Sequence, residues 1–288
     1  MSTAKLFARA VVAVCSIGLV TPAFGQDQQA AADLAKQAQN PIASMISLPF
    51  QDNINFGVGP NDRTQNTFNV QPVIPFSLGR VNLITRTIIP ILYRPDLTAT
   101  TGATSGLGDI NASFMFSPAR AGRITWGIGP IVYFPTATDE NLGSNRWSIG
   151  PSFVALAMPG NWVIGGLVNN AWSVGGGDED DADVNSFLLQ YFVNYNLPNQ
   201  WYLTSAPIIT ANWEAPEGEK WVVPVGGGFG KIFSVGGQPL NGQVQAFWFA
   251  KHPSPELIGG RPPGGLPPDA SDGGSWQLRL QLQMLFPR

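Results

Sequence analysis

The chain has 288 residues and a formal net charge of −3, with 12% charged and 11% aromatic residues. This balance is the reverse of that in intrinsically disordered chains, and the lack of a basic stripe argues against nucleic acid as a partner. One cysteine and one histidine exclude a disulfide framework and zinc sites built from several Cys or His ligands. We expect no cofactor.

Residues 1–25 have the pattern of a secretory signal peptide. Lys5 and Arg9 form a positive start, an apolar run covers residues 10–20, and small residues precede the predicted cleavage point before Gln26. The run is too short to cross the ~30 Å of a bilayer, and no later run reaches the ~18 apolar residues of a membrane helix. The sequence therefore predicts an exported protein, either a secreted β-protein or an outer-membrane barrel.

Residues 26–45 are predicted to form a short N-terminal periplasmic extension or a plug of the barrel. The stretch 28–43 is rich in Ala and Gln and contains no aromatic residue, a composition that favours a short helix. From Ile46 onward the hydrophobic period changes to two. We therefore assign residues 46–288 to an outer-membrane β-barrel.

The last segment of the chain shows this period most clearly. Apolar side chains occupy every second position from Trp276 to Phe286, and Gln or Arg fills four of the positions between them. Because successive side chains of a strand point to opposite faces, one face is apolar and the other polar. Most globular strands have ~5–6 residues, whereas this uninterrupted segment matches the ~9–11 that cross a bilayer at a tilt.

The same pattern predicts twelve strands, an even number, as bacterial single-chain barrels require. They cover residues 46–58, 67–78, 81–93, 107–117, 125–135, 147–158, 162–174, 184–197, 201–213, 221–235, 238–250 and 275–286. Short and long connections alternate, as periplasmic turns and outer loops do in such barrels. Most tryptophans lie near strand ends, which indicates aromatic girdles; Trp248 fits less well. The predicted fold is all-β: a transmembrane antiparallel β-barrel.

Seven prolines within the predicted strands depart from this simple pattern. They are Pro72, Pro75, Pro90, Pro130, Pro151, Pro207 and Pro224. Each removes a ladder hydrogen bond, and a closed barrel has no edge strand to hold them. We expect bulges or bends there, with the freed carbonyls meeting lumenal water or polar side chains.

Several short motifs are similar to those of a known family. They are Asn40-Pro41-Ile42-Ala43-Ser44, Leu48-Pro49-Phe50-Gln51, Gly57-Val58-Gly59-Pro60-Asn61-Asp62, Asn69-Val70-Gln71-Pro72-Val73-Ile74-Pro75-Phe76, Gly106-Leu107-Gly108-Asp109, Gly127-Ile128-Gly129-Pro130 and Phe134-Pro135-Thr136-Ala137-Thr138. On these motifs the chain resembles the bacterial outer-membrane proteins of the phenol meta-pathway degradation family, some of which carry the name neuromedin U by error. The resemblance implies a transporter of small, hydrophobic or aromatic molecules. Leu285-Phe286 also resembles the terminal signal for the barrel-assembly machinery, although Pro287 and Arg288 follow it.

Two clusters are weaker candidates for chemistry. The acidic group Asp178, Glu179, Asp180, Asp181 and Asp183 supplies oxygen ligands for Ca²⁺ or Mg²⁺, but it lacks the spacing of an EF-hand. We favour a solvated outer loop, made acidic for solubility or bridged through divalent ions to lipopolysaccharide.

His252 and Ser254 have the His-x-Ser spacing of outer-membrane phospholipases, and alternation would put both on one face. Pro253 interrupts the strand, and the sequence reveals no third orienting residue. A lipid hydrolase is the less favoured alternative, and we expect no enzymatic activity.

The inward face of the barrel is the main candidate site. The predicted lumen-facing residues are Arg86, Asp109, Asn111, Gln190, Asn194, Gln277, Arg279, Gln281 and Gln283. A charge facing lipid at mid-depth costs ~2–4 kcal/mol, which presses Arg86 and Arg279 toward the lumen, where Asp109 could pack with them as a polar plug.

The sequence predicts a passive outer-membrane channel or transporter for small solutes. A non-conducting structural or ligand-binding barrel is the alternative. The expected partners are outer-membrane lipid, lipopolysaccharide, the barrel-assembly machinery and small-molecule solutes.

Overall fold

The structure, a computed structural model, describes residues 32–97, 102–120, 122–178, 181–254 and 273–287. The predicted signal peptide lies outside these residues. The strand segments are β1 (Ile46–Val58), β2 (Arg63–Val70), β3 (Val73–Ser77), β4 (Val81–Arg94), β5 (Thr104–Leu107), β6 (Ile110–Pro118), β7 (Ile124–Phe134), β8 (Arg146–Ala157), β9 (Trp162–Gly176), β10 (Asn185–Asn196), β11 (Trp201–Ser205), β12 (Ile208–Asn212), β13 (Trp221–Val235), β14 (Gln238–Lys251) and β15 (Trp276–Phe286).

These segments form one closed antiparallel barrel of twelve strands. Three of the strands consist of two segments each: β2 with β3, β5 with β6, and β11 with β12. Neighbouring strands pair in chain order, and β1 pairs with β15 from Ile46 opposite Phe286 to Phe56 opposite Trp276. That last pairing closes the sheet. The predicted twelve-stranded barrel is confirmed, and β1 has the predicted bounds.

Proline interrupts the sheet at only some of the predicted positions. Pro72 separates β2 from β3, Pro207 separates β11 from β12, and the pairing of β13 with β14 shifts register at Pro224. The other four, Pro75, Pro90, Pro130 and Pro151, lie inside continuous strands, so no strand ends at them. Pro130 and Pro151 face each other across β7 and β8, whose pairing is continuous there, whereas the pairing of β6 with β7 skips Pro130 and that of β8 with β9 skips Pro151.

Connections of two to five residues join the strands at one end of the barrel, and connections of four to 24 residues join them at the other end. Both ends of the barrel sequence, Ile46 and Phe286, lie at the end with the short turns. Short turns face the periplasm in barrels of this class. We call this the periplasmic end and the opposite one the outer end.

The barrel is polar inside and apolar outside. On β15, Gln277, Arg279 and Gln283 are buried inside, whereas Leu280 and Leu282 are exposed on the outer surface. Outward apolar side chains recur on the other strands: Ile91, Phe116, Ile128, Phe153, Ile164, Leu203 and Phe229 are among those exposed. This distribution is that of a transmembrane barrel.

Aromatic side chains form girdles at both ends of the apolar surface. At the periplasmic end Trp162 contacts Tyr195, with ring centroids 4.7 Å apart. At the outer end Phe56 stacks on Trp276 at 4.1 Å. Trp248 pairs directly with Trp276 and therefore belongs to the outer girdle, although the sequence suggested otherwise.

Among the described strand residues, two charged side chains interrupt the outward face. Asp52 alternates with the buried Gln51 and Asn53 of β1, so it points outward, and Asn66 donates to its Oδ1 at 2.6 Å. Lys231 of β13 also points outward, with Nζ 5.0 Å from the ring centroid of Trp201.

The described residues ahead of the barrel begin with a helical segment at 32–38. A turn follows this helical segment, and in it the Ile42 N–H donates to Asn40 Oδ1 at 2.9 Å. Among the described residues, no helix has the length and apolar character to span a membrane.

Candidate functional site: the barrel lumen

Residues 32–45, here called the N-terminal plug, pack inside the periplasmic end of the barrel. Ala35, Ala38, Ala43 and Met45 form a buried cluster with Tyr202, Ile232 and Leu285. On the opposite side of the lumen, Ile42 packs in a second cluster with Val154, Leu156 and Val163. The plug therefore contacts barrel strands on both sides of the lumen.

Polar contacts hold the plug as well. Gln39 Nε2 donates to Asn196 Oδ1 at 2.8 Å, and Asn82 Nδ2 donates to Ser44 Oγ at 3.2 Å. Asn196 lies at the periplasmic end of β10, and Asn82 lies at the periplasmic end of β4. The plug is thus attached at its middle and near its C-terminal end.

One side of the lumen carries amides and a guanidinium. We call this side the polar wall, formed by the inward faces of β1, β2, β14 and β15 with Gln71. Its buried members are Gln51, Asn53, Asn55, Gln65, Asn69, Gln71, Asn241, Gln245, Gln277, Arg279 and Gln283.

Arg279 is at the centre of the hydrogen bonds in this wall. Its Nε donates to Asn53 Oδ1 at 2.8 Å, and its Nη1 donates to the carbonyl of Ala206 at 2.7 Å. Its guanidinium carbon lies 4.9 Å from the ring centroid of Phe247. Ala206 precedes Pro207 at the break between β11 and β12, and its N–H donates to Gln245 Oε1 at 3.0 Å. Two lumenal side chains therefore replace the ladder bonds that this break removes.

Arg86 enters the lumen from β4, next to the polar wall. Its Nη2 donates to Gln71 Oε1 at 2.8 Å. This bond fixes the orientation of the Gln71 amide, whose buried Nε2 has no hydrogen-bond partner among the described residues. Gln71 therefore presents an unused N–H donor beside a guanidinium.

The facing side of the lumen carries a large apolar cluster, among inward polar residues such as Asn169 and Asn194. We call it the apolar wall, formed by inward side chains of β4, β6, β8, β9 and β10. Its buried members are Ile84, Met115, Val154, Leu156, Val163, Leu167, Leu188 and Phe192. The sequence did not predict this wall, because strands such as β10 carry apolar residues on both faces and lack clean alternation. The missing alternation in such strands was the signal that could have indicated inward apolar residues.

A cavity of about 140 Å³ lies between the plug and the two arginines. We call it the central cavity. Its lining includes residues 37–41 of the plug, amides of the polar wall, Arg86, Arg279, and Leu167 with Phe192 of the apolar wall. Four further residues predicted to face the lumen, Gln190, Asn194, Gln281 and Gln283, also line it.

A second, smaller cavity of about 10 Å³ includes Asn111 of β6 in its lining. Arg86 and Leu167 line both cavities, so these two side chains separate them. Gln277 lies farther along the polar wall, where its Nε2 donates to Asn55 Oδ1 at 2.8 Å.

Asp109 sits at the base of an outer loop and lines neither cavity among the described residues. Its Oδ1 accepts from the N–H groups of Thr136 and Ala137, both at 3.2 Å. Its Oδ2 accepts from Ser144 N–H at 2.6 Å and Ser144 Oγ–H at 2.8 Å. The carboxylate therefore anchors the loop that joins β7 to β8. Its hydrogen bonds go to this loop, whereas the sequence predicted that it would pack with the lumenal arginines.

The described part of the acidic loop is arranged around a cation of the chain itself. Arg146 donates to the carbonyl oxygens of Asp178 and Ala182, and its Nη1 lies 3.7 Å from Asp183 Oδ1. Glu179 and Asp180 lie outside the described residues. Within the described ranges no group of three or more His, Cys, Asp or Glu is placed to hold a metal ion.

Asp181 in this loop has its pKa lowered below the ordinary value of 3.8. The main cause is the N–H of Asp178, which donates to Asp181 Oδ2 at 2.7 Å. The side chain of Asn145 adds a second bond at 2.9 Å. Both bonds stabilise the ionised carboxylate.

His252 and Ser254 do not form a catalytic pair in the described chain. His252 Nδ1 lies 2.7 Å from the carbonyl oxygen of Pro253, and the Ser254 N–H donates to Glu219 Oε2 at 2.6 Å. No hydrogen bond joins the two side chains within the described residues.

Comparison with known proteins agrees with this architecture. The family model described as "Putative MetA-pathway of phenol degradation" matches residues 48–246. The chain belongs to this family. The matched region extends from β1 into β14, so the phenol-degradation family model covers most of the barrel. No curated protein matches the sequence.

Three solved barrels are similar to this family member. A COG4313 outer-membrane channel from Pseudomonas putida F1 has a TM-score of 0.59 at 16% identity, over 84% of this chain and 94% of that chain. Outer-membrane phospholipase A from Escherichia coli has a TM-score of 0.37 at 13% identity, over 84% and 96%. A porin has a TM-score of 0.36 at 9% identity, over 84% and 100%. At these identities the first match shows a shared fold, and the other two carry no argument.

Proposed function

We propose that this protein is an outer-membrane channel for small molecules, with a lumen that the N-terminal plug closes at the periplasmic end. One observation carries the proposal. The interior is polar on one wall and holds a cavity of about 140 Å³, whereas a purely structural barrel would need neither. Family membership and the channel described for the P. putida relative support the same function.

The plug accounts for the closed state. It contacts Tyr202, Ile232 and Leu285 on one side of the lumen and Val154 on the other. Three of the four plug residues in the first cluster are alanines, and each buries little apolar area, so the plug is held weakly enough to move without unfolding the barrel.

Single-channel conductance in a planar lipid bilayer tests this function. The mature chain should give small or rare current steps, and deletion of residues 26–43 should give larger and more frequent steps. Ala38→Asp, which puts a charge into the buried contact, should act like the deletion. Ala32→Asp, at an exposed position of the same segment, should behave like the parent chain.

The alternative is a ligand-binding barrel that does not conduct. It is favoured by the contact of Arg86 and Leu167 with both cavities, which places a constriction beyond the plug. Silence of the full and truncated chains alike, in barrels shown to be folded, would support this alternative and reject the open channel.

The proposal includes no catalytic step. The His252–Ser254 spacing suggests one assay. Ester hydrolysis in lipid micelles should be absent, and activity lost in Ser254→Ala would overturn this part of the proposal.

The channel would work in the outer membrane, a location that the transmembrane barrel supports. Outer-membrane lipid and lipopolysaccharide would surround its apolar surface. Insertion would depend on the barrel-assembly machinery.

A further inference from the structure

We infer that the central cavity binds a small organic anion with an apolar body, of the class of aromatic monocarboxylates. The carboxylate would face Arg86 and Gln71, and the ring would pack on Leu167 and Phe192. This inference rests on the proposed channel function and names the class of solute for its lumen.

The residues that line the cavity indicate the sign of the solute's charge. Two guanidinium groups, Arg86 and Arg279, belong to it, and none of the described lining residues is Asp or Glu. Arg279 is 2% exposed and remains charged at any physiological pH. A cationic solute would meet two like charges, whereas an anion would meet two opposite ones.

The hydrogen-bonding capacity of the lining also fits an anion. Gln71 is 3% exposed, and its Nε2 is a donor without an acceptor among the described residues. Because Arg86 Nη2 already donates to Gln71 Oε1 at 2.8 Å, the unpaired donor is the buried Nε2 of a residue that lines the cavity. A buried donor is satisfied by an added acceptor, and a carboxylate is an acceptor only.

The apolar residues of the opposite wall indicate that the solute has an apolar body. Leu167 and Phe192, at 8% and 7% exposed, line the cavity across from the polar wall. A hydrophilic anion such as acetate would leave these surfaces uncovered. An aromatic ring would pack against the face or edge of Phe192 and remove apolar area from water.

The size limits the body to about one ring. The cavity holds about 140 Å³, close to the ~150 Å³ apolar cavity that accommodates benzene. Solutes with two fused rings or a long acyl chain would require displacement of the plug, whose residues 37–41 form part of the lining.

Calorimetric titration of the full mature chain in lipid nanodiscs tests the inference with a matched set of probes. They are benzoate, its neutral analogue benzamide, the cation benzylammonium, and acetate, which keeps the charge without the ring. Benzoate should bind roughly tenfold or more tightly than each of the others, because one charge-assisted hydrogen bond or one buried ring contributes at least that factor.

Two variants locate the site. Arg86→Gln should bring benzoate binding to the level of benzamide. Leu167→Asn should weaken benzoate while leaving acetate unchanged. Lys231→Gln removes a cation from the outer surface and should leave every affinity as in the parent chain. Heat-modifiable migration on gels establishes that each variant is folded.

Equal binding of benzoate and benzamide would overturn the assignment of charge, and preference for benzylammonium would reverse it. Equal binding of acetate and benzoate would remove the role of the apolar wall. These outcomes differ from failure of the channel itself. Conductance of the truncated chain together with absent benzoate binding rejects only the solute class, whereas binding without any conductance rejects the channel and keeps the site.

Discussion

Arg279 Nη1 donates to the carbonyl oxygen of Ala206 at 2.7 Å, and this bond links β15 to the break that Pro207 makes between β11 and β12. A barrel has no edge strand where an unpaired carbonyl can meet solvent. The side chain of a lumenal arginine meets that need here. Arg279 thus supports the wall of the barrel as well as lining its cavity.

Replacing Arg279 by Met should lower the free energy of unfolding in lipid vesicles by about 2–3 kcal/mol, because a buried carbonyl loses its donor. Lys251→Met, at an exposed position near the outer end of β14, should change it by less than about 0.5 kcal/mol. Urea titration followed by tryptophan fluorescence measures both. Equal effects of the two changes would mean that the Arg279 bonds contribute nothing to stability.

Asp109→Asn should destabilise the outer end of the barrel by about 2–3 kcal/mol, since an amide in place of Oδ2 cannot accept from Ser144. It should also make the loop at residues 135–145 sensitive to protease added outside lipid vesicles. Asp139→Asn is the matched control, because Asn caps a turn as well as Asp does. Protease resistance of Asp109→Asn equal to that of the control would contradict this role.

Asp52→Leu should raise stability in a bilayer by about 1–2 kcal/mol, as it removes an acid that faces lipid, where charges are costly. The gain is reduced by loss of the bond from Asn66 at 2.6 Å. Glu217→Leu, in an exposed outer loop, should leave stability nearly unchanged. A loss of stability in Asp52→Leu would show that the bond from Asn66 outweighs the cost of the lipid-facing charge.

Acidification should release the bonds of Asp181 in the outer loop. Its pKa lies below 3.8, so the stabilisation it gives is complete above the unfolded pKa and is lost as pH falls through the folded value. A carbon-13 NMR titration of the Asp181 carboxyl group measures the folded pKa. Asn145→Ala should raise it, because one donor to the ionised form is removed; a lower or unchanged value would refute this cause.

The sequence predicted the barrel well because most strands carry their own two-residue period. On β15, the alternation of Leu280 with Arg279 identifies the outward and inward faces from the sequence of that strand alone. The breaks at Pro72 and Pro207 were also predictable from the sequence, because each proline lacks the N–H that a ladder hydrogen bond needs. In contrast, Pro130 and Pro151 stay inside two strands that remain paired at this position, and that pairing depends on register.

Only the polar half of the candidate site could be predicted from the sequence, because the other half depends on which strands face each other. Amides and arginines stand out on inward faces, whereas Leu167 and Phe192 look like ordinary apolar strand residues. Their role depends on which residues face them across the lumen. The place of Asp109 likewise depends on a loop 25 or more residues later in the chain, which bonds it through Thr136 and Ser144.

The plug also imposes an order on assembly. Residues 32–45 precede the barrel in the chain, yet their contact surface includes Leu285, which lies near the end of the last strand. That surface is complete only once β15 has paired with β1. The plug therefore precedes every strand in the chain but can complete its contacts only after the last strand has paired.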